Sequence, residues 1–202
     1  VAQVNISVWK ELQTTMAAEE AACPRSVKEL GSVLQRKRLS DLANLCCSLH
    51  PGDLIEIGVL AGATSVLLAE QARAYGRRLV CIDNWPTHNN PYELDKVRLI
   101  FLEEMKKWSD VVDIWEMDAH SEECLKMIGD RQYCFAFSDD GHLFDEHYKE
   151  LMALMPVTNG LIAVDDVYLP EPRQAIAAAI KANPDWVELY DPRLRESWLV
   201  KP

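Results

Sequence analysis

Asp53-Leu-Ile-Glu-Ile-Gly-Val-Leu-Ala-Gly-Ala-Thr-Ser65 is the stretch on which the reading of the fold turns. It opens with a short apolar run, residues 54–59, that reads as a buried strand carrying one acid, Glu56. Two glycines follow, Gly58 and Gly62, and Val66-Leu-Leu-Ala69 then begins a helical pattern. Strand, glycine turn and helix start make a ligand cradle. Glycine lets backbone approach a ligand closely, and the free N–H groups of a helix start favour polar or anionic groups. The glycine spacing alone is weak, because a tight strand-to-helix turn with no ligand uses the same residues.

Downstream, apolar strand-like runs alternate with helical ones. Strands are expected at 54–59, 78–83, 111–118, 133–137 and 160–164, and helices at 64–75, 92–108, 119–128, 143–155 and 171–182. Such alternation implies a parallel sheet covered by helices on both faces. Residues 186–190 and 197–200 read as a closing pair of strands with no helix between them, hence antiparallel. The expected fold is α/β and Rossmann-like: a seven-stranded, mostly parallel sheet with an antiparallel last strand.

Upstream, residues 1–50 read as helical and are expected to form an extension to one domain over 51–202. Val8-Trp9, Leu12 and Met16 have helical spacing, Cys23-Pro24-Arg25 breaks it, and Ser26 reads as an N-cap before Leu30, Val33 and Leu34. Ser40-Asp41 is expected to open another helix, which stops near His50-Pro51-Gly52. The segment can cover a sheet edge, shape a substrate pocket or form a dimer contact, and its pattern does not choose among these.

Composition narrows the function classes. Of 202 residues, 21 are Lys or Arg and 32 Asp or Glu, a net charge of −11, which argues against non-specific nucleic-acid binding. Six cysteines include no C-x-x-C pair, so a structural zinc site is not expected, and Cys81 and Cys134 fall inside strand-like runs as small core residues. Reduced thiols, a cytoplasmic location and no membrane span are expected, with no signal-peptide pattern at the start. Val1 suggests a start within a longer protein.

In an open α/β sheet, ligands bind beyond the carboxyl ends of the strands. The first strand ends in the glycine turn, the second in Asp83, the third in Asp118-Ala119-His120, the fourth in Asp139-Asp140-Gly141-His142 and the fifth in Asp165-Asp166. Asp83 suits a ribose diol, since a carboxylate accepts two hydroxyl hydrogen bonds; the bland alternative is a turn cap. Asp118 suits an adenine amino group or, equally, a helix N-cap. With the fourth and fifth strands adjacent, their tips lie roughly 5 Å apart. Asp139, Asp165 and Asp166 would then repel one another unless protonated or bound to a cation, and all-oxygen ligands favour Mg²⁺, Mn²⁺ or Ca²⁺. Asp140 and Asp166 as plain turn caps are the alternative. His142, at a helix start, can take a proton from a cation-bound hydroxyl or simply face solvent. His147 lies five residues on, so the pair is not a zinc motif.

With these motifs in place, the chain resembles the class I S-adenosylmethionine-dependent methyltransferases. It looks most like the metal-dependent O-methyltransferase branch that includes macrocin- and cephalosporin-pathway-like enzymes. Glu56-Ile-Gly58-Val-Leu-Ala-Gly62 resembles the motif that holds the methionine end of the cofactor, Asp83 the ribose acid, and Asp118-Ala119 the adenine-side motif. Asp139-Asp-Gly-His142 and Val164-Asp165-Asp166-Val167 resemble the branch's catalytic and metal motifs. Leu60 stands where many relatives carry glycine, and Asp140-Gly141 inverts the commoner order. The resemblance implies methyl transfer from S-adenosylmethionine to a small-molecule hydroxyl, with His142 and Asp139 catalytic. It implies a cofactor set of Glu56, Gly58, Gly62, Thr64, Ser65, Asp83, Asn84, Asp118, Ala119 and Asp139. A divalent ion, Mg²⁺ first, would sit on Asp139, Asp165 and Asp166. A homodimer or higher homo-oligomer is expected, with no nucleic-acid or membrane partner. The rivals are a nicotinamide-dependent oxidoreductase, whose usual Gly-x-Gly-x-x-Gly is missing, and a non-catalytic nucleotide-binding module on the same fold. Trp85, His88, Tyr92 and Trp108 can line an acceptor pocket or simply pack.

Overall fold

A computed structural model describes residues 5–22, 28–85 and 94–202. Helices α1 (Ile6–Ala22) and α2 (Lys28–Leu49) precede β1 (Asp53–Ile57), α3 (Ala63–Ala74), β2 (Leu79–Asp83) and α4 (Leu94–Met105). Then come β3 (Val112–Glu116), α5 (Glu122–Gly129), β4 (Tyr133–Ser138) and α6 (Phe144–Leu154). The chain closes with β5 (Thr158–Val164), α7 (Pro170–Ala182), β6 (Val187–Leu189) and β7 (Ser197–Val200). The sheet order is β3-β2-β1-β4-β5-β7-β6. All pairs are parallel except β7, which lies antiparallel between β5 and β6. The expected seven-stranded, mostly parallel sheet is therefore present, and the order reverses between β1 and β4, where a crevice opens.

The central strands are buried on both sides, so their side chains divide between two cores. Leu54, Leu79, Cys81, Phe135, Phe137, Leu161 and Trp198 join Trp9, Leu39, Leu42, Leu68 and Phe101 on the face covered by α1 to α4. Ile55, Ile57, Val80, Ile82, Ala136, Ile162 and Leu199 join Ile128, Leu151, Leu154 and Ile176 on the face covered by α5 to α7. The period-2 alternation of strand side chains produces this split. It also puts Glu56, between Ile55 and Ile57, on the α1-to-α4 side.

The N-terminal helices are part of that core. Leu39, Leu42, Ala43, Cys46 and Cys47 of α2 are buried against the sheet. Their three- and four-residue spacing continues straight through Ser40-Asp41, so the expected break there does not occur. Ser40 instead accepts a hydrogen bond from Gln71 of α3 at 3.1 Å, and Asp41 pairs with Lys37 one turn back at 2.5 Å. The expected break at Cys23-Pro24-Arg25 and the Ser26 cap lie outside the described residues. Five of the six cysteines are free and buried, as read for Cys81 and Cys134. Among the described residues, no helix is long and apolar enough to cross a membrane.

Candidate active site

Strand register brings the expected tips to one edge. Ile57 of β1 pairs with Ile82 of β2 and Ser138 of β4, and Ser138 pairs with Val164 of β5. Beyond them lies a cleft of about 320 Å³, lined by Glu56, Gly58, Thr64, Phe137, Asp139, Asp165, Gln35 and Arg195 among others. That volume falls in the range of small-molecule sites.

The glycine turn is built by mutual constraint. Gly58 has φ +84°, and a Cβ placed there would lie 2.3 Å from the Asp139 carbonyl oxygen. The bare Cα of Gly58 thus lets the first turn press against the backbone that presents Asp139, so a larger residue would collide with that backbone and not merely fill the cradle. Gly62 has φ +82°, and its absent side chain makes room for the Phe101 ring of α4. Its role is packing at the start of α3, and it does not line the cleft. Leu60 takes a left-handed φ of 49° where the resemblance places glycine, and it projects outward, 56% exposed. The backbone need for positive φ persists although the residue has changed.

Two expected cofactor acids serve the protein's own backbone. Asp83 Oδ2 accepts the N–H groups of Val59 and Leu60 at 3.1 and 3.0 Å, and Oδ1 accepts that of Trp85 at 2.8 Å. Asp83 is a clamp on the glycine turn, with acceptor capacity left over for a diol. Trp85 reinforces it: the buried indole donates to the Leu60 carbonyl at 2.9 Å and packs against Phe101. Asp118 is exposed and accepts the His120 N–H at 2.9 Å. It does not cap the next helix: α5 starts at Glu122, later than the expected 119, with Ser121 as N-cap accepting the Cys124 N–H at 3.2 Å. Ala119 is buried and Asn84 exposed. Trp108 lies under the Arg73 guanidinium, 4.2 Å from the ring centre, and does not line the cleft. His88 and Tyr92 lie outside the described residues.

Glu56 is fully enclosed and accepts the Ser65 hydroxyl at 2.5 Å. Burial pushes its carboxyl up to about 8, opposed by that hydroxyl and assisted by Asp83. Burial, with Asp165 and Glu56 as neighbouring charges, pushes Asp139 well above the carboxylate range. Burial raises Asp165 too, against the pull of Arg195. The cleft floor is thus a set of buried acids that a cationic ligand would relieve.

The tips of β4 and β5 bring together two of the three expected acids, Asp139 and Asp165, while Asp166 turns aside. Asp166 has φ 52°, and this left-handed turn directs its carboxylate at Arg195 Nη2, 2.7 Å away, and His142 Nδ1, 3.4 Å away. Asp165 accepts Gln35 Nε2 of α2 at 2.8 Å, and its second oxygen lies 3.6 Å from the same Arg195 nitrogen. Among the described residues, the group whose ligand atoms converge within 4.8 Å is instead His120, Asp140 and Glu150. That group is already satisfied internally: His120 Nε2 lies 2.7 Å from Glu150, and Ser138 donates to Glu150 at 2.5 Å. His142 stands at a rim turn made by Gly141 at φ +67°, with Glu146 accepting the His142 and Leu143 N–H groups at 3.1 Å each. Its side chain is exposed, while His147 is buried beside Ser138.

Gln35 and Arg195 carried no signal in the local pattern. Arg195 was findable once the antiparallel last strand was granted. A strand beside β5 and opposite in direction must begin where β5 ends, as the Val164–Ser197 pairing shows. Gln35 had no such marker.

A family model described as a methyltransferase domain matches residues 55–167. No curated protein matches the sequence significantly. Among solved structures, the chain is similar to CalS11, described as a calicheamicin methyltransferase. Identity is 15%, TM-score 0.62, with 99% of this chain and 94% of that one covered. It is also similar to the SAH-bound methyltransferase PaMTH1 of Podospora anserina, at 16% identity, TM-score 0.63, and 100% and 98% coverage. A third is the O-methyltransferase TomG of Streptomyces achromogenes, solved in complex with SAM. There identity is 17%, TM-score 0.58, and coverage 82% and 77%. At such identities the likeness is one of fold.

Proposed function

We propose that this chain, which belongs to the methyltransferase domain family, binds S-adenosylmethionine in the cleft beyond β1, β4 and β5 and transfers its methyl group to the hydroxyl of a small molecule. The observation that carries the reading is the convergence of Glu56, Gly58, Thr64, Asp139 and Asp165 on one cleft whose acids are buried and pushed upward chiefly by that burial. S-adenosylmethionine carries two positive centres, its ammonium and sulfonium, against one carboxylate, so it brings net positive charge to these acids. The SAH- and SAM-bound neighbours support the same cofactor.

The reaction forms an O–CH₃ bond as the S–CH₃ bond breaks, leaving a neutral thioether and one proton from the acceptor hydroxyl. Alignment of the oxygen in line with the methyl group is the main requirement. The glycine turn and Thr64 hold the methionine end near Glu56. Asp139 faces the reacting region from the tip of β4. His142, on the rim and backed at Nδ1 by Asp166, is the residue assigned to take the hydroxyl proton.

Asp139, Asp165 and Asp166 do not converge as one three-carboxylate set: Asp139 and Asp165 are neighbours, but Asp166 is turned onto Arg195 and His142. No step is therefore assigned to a metal. The test is a crystal structure with S-adenosylhomocysteine soaked in. The homocysteine end is expected beside Glu56 and Gly58, with the sulfur facing Asp139. A ligand seated outside this cleft would refute the reading.

A further inference from the structure

We propose that Arg195 is the resident cation of the Asp165–Asp166 pair, so that this site works without a divalent ion. One nitrogen, Arg195 Nη2, lies 2.7 Å from Asp166 Oδ1 and 3.6 Å from Asp165 Oδ2. It thus bridges the two adjacent carboxylates.

The guanidinium is held there by a buried scaffold. The Val167 N–H donates to the Arg195 carbonyl at 3.2 Å, which ties the loop before β7 to the turn after β5. The next residue, Glu196, is fully buried and takes a two-pronged ion pair from Arg38 of α2, at 2.9 and 3.0 Å. One turn earlier on the same helix face, Gln35 donates to Asp165 at 2.8 Å. Glu196 therefore points inward to α2 while Arg195 points outward to the acids, and α2 grips both ends of the seam. The second oxygen of Asp166 is engaged by His142. A metal shared by Asp165 and Asp166 would have to displace an arginine whose backbone and neighbour are both fixed.

Guanidinium suits this place. It stays charged at every working pH and it spans two carboxylates with several donors. It holds the acid pair compact and leaves the Asp139 side of the cleft to the sulfonium.

The inference draws on the methyl-transfer reading only for its consequence; the cation claim stands or falls on metal binding. The probe is Mn²⁺ alone, followed by electron paramagnetic resonance with the full chain stripped by EDTA and desalted. The wild-type protein should leave the free Mn²⁺ signal unchanged. Arg195→Met should remove about one equivalent of it, reversed by excess Mg²⁺, whereas Arg195→Lys should bind none. Stoichiometric Mn²⁺ on the wild-type protein would overturn the proposal, and needs no variant to be read. So would an Arg195→Met protein with native circular dichroism that binds no Mn²⁺. Calorimetry with S-adenosylhomocysteine on the same stripped wild type is expected to give an affinity that added Mg²⁺ changes by less than about twofold. An absence of S-adenosylhomocysteine binding would remove the functional reading and leave the Mn²⁺ result to decide the role of Arg195.

Discussion

At the scale of single residues, the site works by enclosing acids that want a cation. Glu56 is pushed up to about 8 in the free protein, chiefly by burial. A cationic methionine end beside it favours the ionised form, so cofactor binding near neutral pH should expel a proton. Affinity should then rise with pH up to about 8, by as much as tenfold per unit. Calorimetry of S-adenosylhomocysteine in buffers of different ionisation enthalpy reads the proton directly. Glu56→Gln should flatten the profile, and a flat wild-type profile would count against the role of Glu56. Gly58 gives a second prediction. An added methyl meets the Asp139 carbonyl at 2.3 Å on top of a left-handed φ, so Gly58→Ala should cost about 3 kcal/mol or more. Leu60→Gly, one turn position away at φ 49° and exposed, should fold normally. Urea denaturation separates the two, and equal losses would show that the turn is not pinned as described. The acids at the strand tips were legible because ligands of an open α/β sheet bind beyond the carboxyl ends of its strands. Their bonding was not: Asp83 turned inward to the N–H groups of Val59 and Leu60, a choice set by a turn that folds back over it.

At the scale of elements, α2 is a wall of the site as well as a cover for the sheet. Its face carries Gln35 to Asp165 and Arg38 to Glu196, both buried. Glu196→Ala should remove the buried two-pronged carboxylate that Arg38 grips and cost about 3 kcal/mol, whereas Arg38→Met combined with Glu196→Leu should recover most of that loss. The comparison is made by urea midpoints. A double variant no better than the single one would show that the pair does more than neutralise itself. The strands and the mostly parallel sheet were readable, since short apolar runs alternate with helical patterns; the order of the strands was not. The continuity of α2 was not. Ser40 and Asp41 look like a helix start until Gln71 and Lys37 are known to use their side chains. Long-range partners of that kind, like Arg195 for the two acids, leave no periodic trace.

At the scale of the whole molecule, buried protonated acids set the pH response. Glu56 is raised to about 8 and Glu150 to about 7, both mainly by burial. Their folded values lie above the ordinary 4.5, so the folded chain holds protons that the unfolded chain releases. Stability is therefore fully present below about pH 4.5 for these groups and is lost as pH rises towards 8, on the order of a few kcal/mol in all. Urea midpoints between pH 5 and 8 should fall, and Glu56→Gln should blunt the fall; midpoints that rise would contradict it. The layers, the sheet reversal between β1 and β4, and the cleft outside it follow from one alternation of strands and helices. The central claim is that this crevice holds a sulfonium cofactor between Glu56 and Asp139. Titrating S-adenosylmethionine into the metal-stripped wild-type chain by calorimetry tests it most directly. One ligand should bind per chain, with affinity lost in Glu56→Ala at retained fold. Silence in the wild type, or binding untouched by that substitution, would contradict it.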